Sequence, residues 1–107
     1  MEEIITLEFV QDYLNTTVFD LYSTHDKICF PTLERIFKKI KSGEKFRPIN
    51  VDNDAIVDGH HRYICLHILG LEIEKINWTR SPSSKITPWN QVIIETIDWY
   101  HHKKHKK

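Results

Sequence analysis

Apolar residues recur at helical spacing in Leu33, Ile36, Phe37 and Ile40, with Lys38, Lys39 and Lys41 between and after them. This pattern predicts an amphipathic helix that Pro31 starts and Gly43 stops. Ile4, Leu7, Val10 (or Phe9) and Leu14 predict a shorter helix, which Asn15-Thr16-Thr17 interrupts. A third runs from Gly59 to Leu69, with Tyr63, Ile64, Leu66, Ile68 and Leu69 as its apolar set and Gly70 as its end. Thr87-Pro88 opens a fourth, reaching about Tyr100, with Val92, Ile93, Thr96, Ile97 and Tyr100 on one stripe. Trp89 and Trp99 are expected to cover the edge of the core.

Between the helices lie runs of β character. Val18–Tyr22 and Leu71–Trp78 each predict a strand. Ile49-Asn50-Val51 and Ala55-Ile56-Val57 flank Asp52-Asn53-Asp54 and predict a hairpin. Ser23–Lys27 and Arg80–Ser84 read as loops. Helices and strands interleave, so the expected architecture is α+β: one small domain, residues 1–107, with a mixed β-sheet flanked by helices.

Composition narrows the function classes. Among 107 residues, Lys+Arg and Asp+Glu balance at 15 each, so bulk charge does not announce a nucleic-acid binder. The charge is unevenly spread, however. Acids dominate the opening segment, and residues 101–107 read His-His-Lys-Lys-His-Lys-Lys, a basic tail expected to fray. No apolar run approaches the roughly 18 to 20 residues that span a bilayer. The acidic N-terminus does not read as a signal peptide, and a cytoplasmic location is expected. Cys29 and Cys65 have apolar neighbours and read as a reduced pair of small core residues.

The sharpest chemical signal is Asp58-Gly59-His60-His61-Arg62-Tyr63, at a turn from strand to helix. The first amides of a helix lack internal partners and carry the positive end of its dipole. Arginine and two histidines on that turn would complete a phosphate cradle; the alternative is that they face solvent. Asp58 would cap the helix or help hold a magnesium ion. Competing metal readings use His61 with Cys65, or His60 with His67, by helical spacing. A calcium loop at Asp52-Asn53-Asp54 lacks the alternating acids that such a loop needs. Cys65, in the run Ile64-Cys65-Leu66, reads as an inert thiol rather than a nucleophile. His25 and Asp26, in the polar loop ahead of the second helix, are able to do proton chemistry.

The run from Leu33 to Gly70 resembles the ParB/sulfiredoxin superfamily. The resemblance rests on a helix ending in Ser42-Gly43, then Arg47-Pro48-Ile49-Asn50-Val51, then Ile56-Val57-Asp58-Gly59-His60-His61-Arg62-Tyr63, and a helix closing with Leu69-Gly70. It extends more weakly back to Val18 through Phe19–Asp26. It implies that the Gly-x-x-Arg turn, Gly59 to Arg62, binds nucleotide phosphates. His60 stands where sulfiredoxins carry a catalytic cysteine, so sulfinic-acid reduction is not expected. Partition proteins of the superfamily place Glu and Arg at His60 and His61 and add a helix-turn-helix domain, for which this chain has no room. The Asp-Gly-His-His-Arg form is more similar to the branch that holds free-serine kinases and ParB-like nuclease domains. In those kinases an acid in the leading loop acts as base; Asp26 stands there, although a glutamate is usual.

Residues and resemblance together lead to an expected site of Gly59, His60, His61 and Arg62 for ATP or ADP, with Mg²⁺ at Asp58. Asp26, His25 and Asp58 are the candidate catalytic groups. The expected activity is phosphoryl transfer to a small hydroxylated acceptor such as serine. The alternative is a nonenzymatic module that senses nucleotide or touches nucleic acid through Lys38, Lys39, Lys41, Lys45, Arg47 and the tail.

Overall fold

A computed structural model describes residues 5–99. The basic tail, the beginning of the first predicted helix and Tyr100 at the end of the fourth lie outside the described residues. Helix α1 is Leu7–Thr16. The Thr6 hydroxyl accepts from the Phe9 amide at 3.1 Å and so caps it, which fixes the start at Leu7. Val10 and Leu14 face inward, whereas Phe9 is exposed. Helix α2, Phe30–Lys41, carries Pro31 in its first turn and buries Thr32, Leu33, Phe37 and Ile40. Its lysines Lys38, Lys39 and Lys41 sit in the last turn, where cations complement the helix dipole.

Strands β2, Ile49–Asp52, and β3, Ala55–Asp58, form the predicted antiparallel hairpin. A register shift between Asn50 and Val51 makes β3 bulge just before its exit into α3, His60–Leu69. Gly59 at φ 100° and Gly70 at φ 70° flank α3 in the left-handed region. Helices α2 and α3 pack on each other. Their inward side chains and those of the hairpin, with Ile28, Leu33, Ile49, Ile56 and Ile64 fully buried, make one core.

Three expectations are corrected. Val18–Tyr22 is no strand: Val18 is 92% exposed, and only Tyr22 bridges, to Ala55. The ladder stops there because the Thr24 hydroxyl, rather than another amide, donates to the Ile56 carbonyl at 2.7 Å. The predicted strand over Leu71–Trp78 shrinks to β4, Lys75–Asn77, parallel to β2 and exposed throughout. Over residues 87–98 the fourth helix does not form. Trp89–Gln91 is a 3₁₀ turn, and Ile93–Glu95 is strand β5, parallel to β1, Lys27–Cys29. Val92-Ile93-Ile94 is β-branched throughout and alternates inward and outward, with Ile93 57% exposed between the half-buried Val92 and Ile94.

The result is a small α+β domain with two sheets: a mixed three-stranded sheet in the order β3-β2-β4, and the parallel pair β1-β5. Trp89 lies inside the core rather than at its edge, and its indole N–H donates to the Leu21 carbonyl at 2.7 Å. Among the described residues no helix is long and apolar enough to cross a membrane.

Candidate functional site around the first turn of α3

Three consecutive residues on a helix point in three directions, and His60, His61 and Arg62 do so. His60 turns toward the leading loop: its Nε2 accepts from the Thr24 amide at 3.1 Å. His61 turns toward β1, where its Nε2 accepts from the Cys29 amide at 2.9 Å. Arg62 turns back under Gly59 and donates to the Pro48 carbonyl at 3.3 Å. Its side chain is only 13% exposed, and its Nε is buried without a partner. A Cβ on Gly59 would lie 2.6 Å from the Arg62 guanidinium and 2.7 Å from Ile49, so glycine is needed there for packing as well as for φ.

Both imidazoles are held neutral. Burial, then the charges of His25 and His61, pushes His60 down to about 3. Burial, then His25 and Arg62, pushes His61 down to about 4. Because each Nε2 accepts from an amide, each proton sits on Nδ1. The His60 Nδ1 donor is buried and unpartnered.

The two histidines thus clamp residues 24–29 onto α3, and the clamp fixes the rest of the site. His25 stacks on His60, and it lines an open groove of about 580 Å³ together with Asp26, Lys27, Ser84, Lys85 and Trp99. Asp26 is exposed there, while its backbone carbonyl accepts from the Ile93 amide at 2.9 Å and so anchors the loop to β5. The groove residues Lys85 and Trp99 carried no distinguishing local signal. Lys85 follows a serine-rich loop, and Trp99 sat in a segment with helical periodicity.

Asp58 belongs to a second grouping. Its carboxylate lies 3.3 Å from Arg47 and 3.8 Å from Arg62. It does not cap α3: Gly59 holds the cap position, and no side chain caps the helix. Two guanidiniums beside one carboxylate oppose a divalent cation, so these residues do not fit a protein-built magnesium site. Among the described residues no group of three or more His, Cys, Asp or Glu is placed to hold a metal. The spacing-based metal pairs have other partners: the His67 Nδ1 lies 2.6 Å from the Tyr13 hydroxyl, and the Cys65 thiol donates to the Leu33 carbonyl at 3.4 Å. Burial pushes that thiol up to about 12, which removes it as a nucleophile.

The fold and site therefore define a small α+β domain in which two neutral histidines bolt a groove-lining loop and the strand after it to a helix N-terminus. No protein-family model, curated protein or solved structure matches the chain.

Proposed function

We propose that this chain is a nucleotide-phosphate-binding domain of the ParB/sulfiredoxin-like kind, located in the cytoplasm. We propose further that it works as an ATP- or ADP-dependent phosphotransferase on a small hydroxylated acceptor such as serine. The observation that carries this reading is the clamp from His60 and His61 to the Thr24 and Cys29 amides, which seats His25 on His60 and leaves Asp26 next to it on the groove lining. The ammonium groups of Lys27 and Lys85 on the groove lining supply positive potential for phosphate oxygens. Arg62 supports the first turn of α3 from below.

In the reaction, the acceptor hydroxyl oxygen forms a bond to the terminal phosphorus, and the bond from that phosphorus to the leaving nucleotide breaks. Asp26 or His25, both exposed in the groove, takes the hydroxyl proton. Lys27 and Lys85 balance the charge on the transferring group. Magnesium would come with the nucleotide rather than from a site on the chain.

Calorimetric titration with ATP, ADP and CTP, with and without Mg²⁺, tests the reading. A Lys27→Ala/Lys85→Ala double variant, altered only on the exposed groove wall, serves as control. Micromolar binding by the parent and its loss in the variant are expected; no binding of any nucleotide would sink the proposal. The second reading, a nucleic-acid contact surface, draws on the exposed cations Lys38, Lys39, Lys41, Lys45 and Arg47. Its mark would be affinity for an oligonucleotide that falls steeply with salt.

A further inference from the structure

On the nucleotide reading, we infer that Trp99 is the wall on which the nucleobase stacks, and that Glu95 is the residue that positions it. Two contacts hold this indole, and an ion pair extends one of them. Its Nε1–H donates to the Glu95 Oε1 at 2.7 Å. The other oxygen of the same carboxylate lies 3.4 Å from the Lys27 ammonium. The His61 ring meets the indole nearly at right angles, 84°, with centroids 6.0 Å apart, and braces it against α3.

One carboxylate therefore holds an aromatic ring and a cation on the lining of the same groove. That pairing matches a ligand with a flat ring at one end and phosphates at the other. The groove, at about 580 Å³, falls within the size range of small-molecule sites. The indole N–H is already engaged, so what the ring can offer a ligand is its π surface. Stacking on such a surface is tolerant of base identity and grows with overlap area, which favours purines over pyrimidines. Preorganisation adds to the effect: β5 and Glu95 fix the ring plane before any ligand arrives.

The test compares ATP with inorganic tripolyphosphate, a probe that keeps the phosphates and has no base, on the parent, Trp99→Ala and Trp99→Phe. Base stacking removed by truncation costs about tenfold or more in affinity, so Trp99→Ala is expected to weaken ATP by that factor. It should leave tripolyphosphate unchanged, and Trp99→Phe should keep most of the ATP affinity. Glu95→Gln, which frees Lys27 but still offers an acceptor to the indole, should retain the preference for ATP over tripolyphosphate. Equal losses for both probes in Trp99→Ala would mean a distorted groove and would overturn the inference. So would a parent that binds ATP no better than tripolyphosphate, or an alanine variant that binds ATP normally. A parent that binds neither probe overturns the nucleotide reading itself, a result distinct from the others.

Discussion

The imidazole of His25 lies against that of His60, with centroids 3.9 Å apart and planes 17° from parallel. One ring is exposed and the other is 2% exposed. A surface loop is thereby registered on the buried start of α3, and the consequences can be measured.

The first concerns pH. His60 and His61 titrate in the folded chain near 3 and 4, below the ordinary value of about 6.5 that they regain on unfolding. Between those limits the unfolded chain binds more protons, so folding stability is full above about pH 6.5 and falls as pH drops toward 4. Each histidine contributes a slope of up to about 1.4 kcal/mol per pH unit in that window. Urea titrations at pH 7 and pH 5 should show the loss, and His60→Gln should reduce it. A midpoint independent of pH over this range would refute the neutral clamp.

Gly59→Ala and Gly43→Ala separate crowding from backbone strain. The two glycines have nearly the same φ, 100° and 98°, but a Cβ at Gly43 meets nothing within 4 Å. Left-handed backbone at a non-glycine residue costs about 1–3 kcal/mol, which both variants bear. Gly59→Ala must also displace Arg62 or Ile49. Its melting temperature should fall several degrees further than that of Gly43→Ala; equal falls would show that the guanidinium moves aside freely.

Thr24→Val keeps the shape of the side chain but removes the donor to the Ile56 carbonyl. A buried acceptor left unpaired costs about 1–3 kcal/mol. Amide hydrogen exchange should quicken at residues 23–26 and remain slow in α2. Uniform acceleration over the whole domain would instead place the loop in the global folding unit.

Cys29 and Cys65 are both free and fully buried. Neither thiol should react with an aromatic disulfide reagent at pH 8 until denaturant is added, and then both should. Rapid labelling of one thiol in the native protein would show that the core opens locally around it.

Much of this protein follows from short-range sequence. The spacing of Leu33, Phe37 and Ile40, the hairpin around Asp52–Asp54, and the glycines at 59 and 70 act within a few residues of themselves, where backbone sterics and periodicity decide. The polar cluster at the start of α3 was legible for the same reason. Tertiary contacts decided the rest. Lys27–Cys29 is a strand only because Ile93–Glu95 lies beside it, far along the chain, and that pairing overrides a helical stripe. The directions of His60, His61 and Arg62 also depended on what surrounds the helix. Successive helical residues diverge, so the row of three became a loop clamp, a strand clamp and a prop beneath Gly59 once Thr24, Cys29 and Pro48 supplied partners. Periodicity names the elements, but hydrogen-bond partners brought from distant parts of the chain set where each side chain points.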